Sequence, residues 1–453
     1  MKKCFTTLMI GAMTVICSAV PTYAEETGTG SVYMLNDKPD TNAAWQELAA
    51  SYTEQTGIEV TVVTPEDGEY DLTLYSEMTN SDAPTIFVIS NPSDAATWDS
   101  YTYDLTESAI YDHLTDHSFS IEYNSKIAGV AYCYECYGII YNQTILNLYC
   151  EMDGALINSA EEINSLETLV DVAGDITDRL DDINEVLANA DTDFELTGAF
   201  TSAGLDSYSS WRFSRQLAGL ALYYEFLDDG TDLLSGEAEI NGTYLDHFKQ
   251  IWDMYITYTG ADAATLTSGE WNARDEFGMG EAVFYQNGDW EYDELISEEN
   301  GYLVTTDDIS MLPIYFGVDD ENEGLAVGSE SNWAVNSQAS EEDISASLAF
   351  LEWVIISDEG RSFLSDTMNL TTPFDTFEGY ESGNKLTQMA KVYEEAGKTS
   401  VAWSFYAIPN EKEWSAEFIS VLAAYSDSSV EWDAVVSTFI DGWAKQWILN
   451  NQA

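Results

Sequence analysis

The sequence predicts an α/β chain built as two lobes, and three observations carry that reading. At 453 residues the chain is too long for one small core. Its first hundred residues alternate strand-like and helix-like periodicities, as in a parallel sheet covered by helices. Although Asp+Glu (81) far outnumber Lys+Arg (15), 45% of the residues are hydrophobic and 13% aromatic, enough to fill cores rather than to make an acidic disordered tail.

Ser31–Leu35 is a short apolar strand. Thr41–Gln55 places Trp45, Leu48, Ala49 and Tyr52 on one helical face, Gly57 stops that helix, and Ile58–Val63 is a second strand, closing a β-α-β unit. The pattern recurs with a helix over Tyr70–Met78 and, after Pro84, a strand over Thr85–Ile89. Gly129–Tyr141 reads as a strand pair and Ser159–Leu187 as helical, with Leu166, Leu169, Val170 and Ala173 in register. Ala199–Gly204 is a strand and Ser210–Tyr224 a Ser-capped helix. Tyr244–Thr257 and Asn272–Gly278 are helices, and Ala282–Gln286 is a strand running into Asn287-Gly288. Leu325–Asn336 is strand-like, Ser340–Ile356 is an amphipathic helix, and helices dominate the remainder to Trp447. The acidic run Asp319-Asp320-Glu321-Asn322-Glu323 lacks the ligand spacing and turn glycine of a calcium loop and reads as a solvated loop. Trp45, Trp353 and Trp443 fall at helical core spacing and are expected to pack.

A formal net charge of −66 excludes whole classes of partner. Nucleic acid and anionic lipid both need clustered Lys and Arg. Residues 1–24 read as an export signal: Lys2 and Lys3, a broken apolar stretch from Phe5 to Val20, and Ala24 before Glu25-Glu26. Cys17 offers an alternative lipid-anchoring position. An exported protein at the extracellular face of the membrane or in the periplasm is therefore expected. Cys133, Cys136 and Cys150 follow the signal; their odd number argues against a disulfide framework, and the C-x-x-C sits in strand-like sequence where buried thiols are expected.

Enzyme signatures are missing. His113, His117 and His247 form no H-E-x-x-H, and there is no G-x-S-x-G, G-x-G-x-x-G or P-loop. Carboxylate pairs arise by chance among 81 acids. The expectation is a binding protein without cofactor or metal. Abundant Trp and Tyr at strand ends and helix starts suit an uncharged polar ligand such as a sugar, whose C–H faces stack on rings, held in a cleft between lobes.

Seven segments carry a resemblance in their order and spacing. They are Asn36-Asp37-Lys38-Pro39, Glu54–Val60, Asp82–Phe87, Glu135–Asn142, Gln286–Trp290, Gly328–Asn336 and Thr372-Pro373-Phe374. In these the chain resembles the family 1 extracellular solute-binding proteins of carbohydrate ABC transporters, which include the maltodextrin-binding proteins. The resemblance implies a two-lobed periplasmic-binding-protein-like fold (type II), with hinge-connected lobes of central mixed sheets flanked by helices. It places residues 25–137 with about 320–374 in one lobe, and 138–319 with 375–453 in the other. Crossings would lie near Glu135–Tyr141, Pro313–Leu325 and Thr372–Phe374. It further implies a monomer that closes over a carbohydrate, an oligosaccharide by the number of aromatic candidates, and docks on the transmembrane permease subunits without altering the ligand. A polyamine or peptide is the alternative ligand, and a secreted glycan-acting enzyme is a third possibility.

Carried onto this sequence residue by residue, the resemblance makes Asp37, Lys38, Asn91 and Glu135 hydroxyl-binding groups, and Tyr208, Trp211, Trp290 and Trp414 stacking rings. Glu330 and Trp333 lie on a strand that would border the cleft. Trp290, beside the turn residue Gly288, is the leading candidate, and Arg212 reads as a surface charge.

Overall fold

The computed structural model describes residues 30–66, 68–190, 192–206, 209–262, 265 and 272–450. The expected signal segment with Cys17, and Tyr208, lie outside these residues. In chain order the strands are β1 Ser31–Leu35, β2 Glu59–Val63, β3 Ile86–Ile89, β4 Ser120–Tyr123, β5 Lys126–Ala131, β6 Glu135–Asn142, β7 Gly198–Phe200, β8 Ala282–Gly288, β9 Ile309–Leu312, β10 Glu323–Gly328, β11 Asn332–Val335 and β12 Thr399–Ala402.

They form two sheets. The first runs β2-β1-β3-β11-β5-β4, parallel between β1 and its neighbours and antiparallel from β11 outward. The second runs β12-β10-β6-β8-β7, with β9 also paired to β6. Each has its own apolar core. The opening β-α-β unit forms as the periodicity requires. Helix Asn42–Thr56 buries Trp45, Leu48, Ala49 and Tyr52, and stops at Gly57, whose φ of 78° is the left-handed cap glycine adopts at little cost. Helix Glu341–Ile356 covers the same core, its first turn capped by the Ser340 hydroxyl accepting from the Asp343 N–H.

Two stretches read as local strand sequence turn out to bridge the lobes. Gly129–Tyr141 contains the end of β5 and most of β6, which lie in different sheets, joined by Tyr132–Tyr134. Leu325–Asn336 likewise divides into β10 in the second sheet and β11 in the first, joined by Ser329–Ser331. Each link is only three residues long and joins strands that are buried at most positions, so a nearly continuous apolar run crosses each change of sheet without marking it. The return to the first sheet therefore falls at Ser329–Ser331, not near 320. A third passage lies between Phe377, in the first core, and Leu386, packed on the second sheet.

Other differences are local. Ser159–Leu187 splits at Arg179 into helices Leu166–Asp178 and Leu180–Asn189. The segment after Ser210 opens as a wide π-type turn over Arg212–Leu217, without a side-chain cap, before the α-helix Ala218–Asp229. Such widened turns occur often at functional positions. The acidic run is not all solvated. Asp320 accepts the Gly317 and Leu166 N–H groups, and Glu323 is buried at the start of β10, accepting the Phe316 N–H at 3.0 Å.

Candidate functional site

The links and the ends of β1, β3 and β8 carry most of the expected binding residues to the junction of the two sheets. After β1, the buried Asn36 amide shapes the turn by donating to the Lys38 carbonyl (2.8 Å), Thr41 Oγ1 (3.2 Å) and Thr64 Oγ1 (3.1 Å). This leaves Asp37 and Lys38 turned toward the links. Asp37 accepts from the Tyr132 hydroxyl at 2.7 Å and the Ser331 hydroxyl at 2.6 Å, one from each link. Burial pushes its carboxyl up, against the pull of Lys38 and the two hydroxyls. Lys38 Nζ pairs with Glu135 Oε1 at 2.7 Å. Burial alone would depress the ammonium, but Glu135, with Cys133 and Asp37 behind it, holds it well above its ordinary value.

Asn91 follows β3 and is engaged as a helix cap: its Oδ1 accepts the Asp94 N–H at 3.0 Å, while Asp94 accepts the Ser90 N–H at 2.9 Å. On the second sheet, β8 ends at Gly288 and Trp290 follows in a short turn. A Cβ at position 288 would lie 2.2 Å from the Trp290 ring, so the glycine is what lets the ring lie over the strand end. Trp290 donates to Asn287 Oδ1 (2.9 Å) and meets Trp211 with ring centroids 5.7 Å apart, both rings half-buried. Four residues beyond Trp211, Arg215 is ion-paired with Glu330, and its guanidinium lies 4.5 Å from the centre of the Phe405 ring. Tyr406 donates to the Ser329 carbonyl at 2.8 Å, tying the second link to the second lobe.

The result is one row, from Trp290 and Trp211 through Arg215–Glu330 and Tyr406 to Lys38–Glu135 and Asp37. Of the expected residues it contains Asp37, Lys38, Glu135, Trp211, Trp290 and Glu330. Trp333 and Trp414 must be corrected. Trp333 is fully buried on β11, stacked on Tyr132 (4.7 Å) and against Trp45 (6.1 Å), and presents no free face. Trp414 is buried between Phe418 and Phe439 and donates to the Phe439 carbonyl. Arg212 is likewise no surface charge: it is buried and donates to the Gln286 and Ala203 carbonyls, clamping the wide turn to β8. Trp45 and Trp443 are fully buried and Trp353 partly so, in packing roles.

Arg215, Tyr406, Tyr132 and Ser331 escaped the sequence reading. Arg215 had a usable signal, since in a chain with 15 basic residues one lying a single turn from a candidate Trp needs a partner. Asp289 is buried beside Trp290, accepting the Cys136 N–H (3.1 Å) and the Thr387 hydroxyl (2.7 Å); burial, and then Glu135, push its carboxyl up.

A groove of about 1350 Å³ also runs along the junction; it includes Tyr406 of the row, with Asn91 and Ser329 beside it, and its wall comes from both sides of the junction, including Thr115–Ile121, Thr371–Ser382, Thr387–Glu395 and Ser400–Trp403. Convergent polar groups beside half-buried rings, the combination that ligand clefts present, belong to the row. Among the described residues no group of three or more His, Cys, Asp or Glu is placed to hold a metal ion, and no helix is long and apolar enough to cross a membrane.

The family profile described as bacterial extracellular solute-binding protein matches residues 47–411. No curated protein matches the chain. Among solved structures, a family 1 extracellular solute-binding protein from Bifidobacterium longum subsp. infantis is similar at 15% identity, with a TM-score of 0.61 over 92% of this chain and 99% of that one. Apo RafE from Streptococcus pneumoniae gives a TM-score of 0.67 at 13% identity over 93% and 98%. Maltose-bound MalE3 of T. maritima gives 0.58 at 16% identity over 93% and 100%.

Proposed function

The chain belongs to the bacterial extracellular solute-binding proteins, and from that premise we propose that it captures a sugar between its two lobes and delivers it to the permease of an ABC importer. The observation that carries the reading is the row at the sheet junction. Two half-buried Trp rings stand beside two ion pairs whose remaining donors and acceptors suit hydroxyls, and Tyr132–Tyr134 and Ser329–Ser331 pass between the lobes behind it. Rings take the C–H faces of a sugar, and prepositioned charged groups bind its hydroxyls strongly without bond chemistry. Flexing of the links would close the lobes over the ligand. Similar folds have been solved with raffinose, stachyose and maltose bound, which supports an oligosaccharide. In this reading the protein is exported, held at the outer face of the membrane or free outside it, acts as a monomer, and turns over nothing.

A thermal-shift panel tests it. A ligand at a hundred times its Kd adds ~2.7 kcal/mol of stability, visible as a raised Tm. A shift with oligosaccharides supports the reading. A shift with spermidine alone favours a polyamine, which the excess of carboxylates would suit, and turnover of any glycan would make the protein an enzyme. For whichever sugar binds, Trp290→Ala is expected to raise Kd at least about tenfold, equivalent to ~1.4 kcal/mol. Gly288→Ala should weaken binding in the same direction, because the new Cβ must displace the ring. Titration calorimetry reads both; an unchanged Kd in folded Trp290→Ala would remove that ring from the site.

A further inference from the structure

Resting on the sugar reading, the pairing of charges along the row narrows the class of ligand the row can take. It has two cations, Lys38 and Arg215, and each is already engaged by a carboxylate, Glu135 and Glu330 respectively. Three more carboxyl groups stand around these pairs. Asp37 lies against the Lys38 side, held by Tyr132 and Ser331. Asp289 lies within electrostatic reach of Glu135, with one oxygen buried and without a hydrogen-bond partner. Asp94, at the start of the helix after Asn91, is within reach of Glu330. The row thus holds more acid than base, with no unengaged cation among these groups. Water is partly excluded from it, so like charges repel more strongly than on an open surface.

We propose that the cleft admits uncharged sugars and rejects those carrying carboxylate, sulfate or phosphate groups. An anionic ligand would find both cations already neutralised and would have to displace Glu135 or Glu330, leaving a partly buried carboxylate without its cation and beside an added negative charge. A hydroxyl only shares the existing network, donating to the carboxylates or accepting from Lys38 and Arg215. The selectivity lies in rejection as much as in attraction.

The test begins with the sugar that binds most tightly among raffinose, stachyose, maltotriose and N-acetylated chitotriose. That sugar is compared by calorimetry with two derivatives: the acid formed by oxidising a primary hydroxyl to a carboxylate, and the methyl ester of that acid, which restores neutrality at similar bulk. The acid is expected to bind at least about tenfold more weakly than its ester. Glu330→Gln, which removes one carboxylate and frees Arg215, should narrow that gap severalfold. An acid that binds no worse than its ester overturns the proposal and leaves the sugar reading standing. A gap unchanged in Glu330→Gln moves the filter off this row and overturns it as well. Failure of all four neutral sugars removes the sugar reading, and this inference with it.

Discussion

Trp333→Ala is expected to lower the stability of the protein by about 3–5 kcal/mol while leaving ligand affinity of the folded protein unchanged. The ring is fully buried on β11 and lies between Tyr132, Trp45 and Phe374, so truncation opens a cavity that three large aromatic neighbours cannot collapse to fill. For a lobe of this size that corresponds to a fall in Tm of about 10 °C. Trp333→Phe should cost far less. It keeps an aromatic ring in the stack and deletes an indole N–H that has no hydrogen-bond partner, so one buried unsatisfied donor disappears with the lost volume. Thermal melts and calorimetric titration on both variants check this. A stable Trp333→Ala with weakened ligand binding would return Trp333 to the cleft. The expected outcome is the opposite of that for Trp290→Ala, where affinity falls and the half-buried ring leaves a smaller mark on stability.

Those two tryptophans show what the sequence makes legible. Trp290 follows the end of a strand, at a Gly-Asp turn, where a doubly wound sheet presents its ligand-facing loops. Trp333 sits inside Asn332–Val335, a strand buried at every position, and a ring there has no route to solvent. Position relative to the strand end separates the two, and the resemblance alone did not. Trp414 could have been placed from sequence as well: with Phe418 and Leu422 it repeats at four-residue spacing, the stripe of a packed helix, and all three are buried. Local elements such as the helix over Asn42–Thr56 with its Gly57 stop were readable because a periodic stripe and a cap fix them within one segment. The ion pairs of the row were not. Lys38 and Glu135 are 97 residues apart, Arg215 and Glu330 115, and only the sheet order and the two links bring them together. An acidic composition hides such partners further, since every Lys and Arg has many carboxylates to choose from.

The same excess of acid predicts an unusual dependence of stability on pH. Glu276 and Glu323 are buried, one accepting the Ser202 N–H and the other the Phe316 N–H, and burial pushes each carboxyl up to about 8. The Ser202 N–H at Glu276, and the Phe316 N–H with the Tyr224 hydroxyl at Glu323, do not replace the water each has lost, and the acids around them (Glu281 and Asp275 beside Glu276, Asp319 and Asp320 beside Glu323) add to the shift. Unfolded, both return to the ordinary range near 4.5. Between about pH 4.5 and 8 the folded chain therefore keeps protons that the unfolded chain releases, and stability falls as pH rises through that window. The penalty is absent below the unfolded value and fully developed above the folded one, on the order of a few kcal/mol for each carboxyl. Self-repulsion of a chain with formal charge −66 at pH 7 acts in the same direction. Acidification stops helping when carboxylates that the fold holds below their ordinary value, such as Asp99 against Lys126 and Asp104 against Thr106, begin to protonate. The stability maximum is therefore expected near about pH 5, with Tm falling steadily from there to pH 8.5 at fixed ionic strength. Glu323→Gln keeps an acceptor for the Phe316 N–H and removes the charge, so it should raise Tm at pH 8 and leave it nearly unchanged at pH 5. Glu276→Gln should do the same, and the two together should leave mainly the salt-sensitive slope of the surface charge. A Tm that is flat or rises between pH 5 and 8, or a Glu323→Gln variant less stable than the parent at pH 8, would mean that Glu323 is ionised and compensated in the fold, and the argument from its burial would not hold.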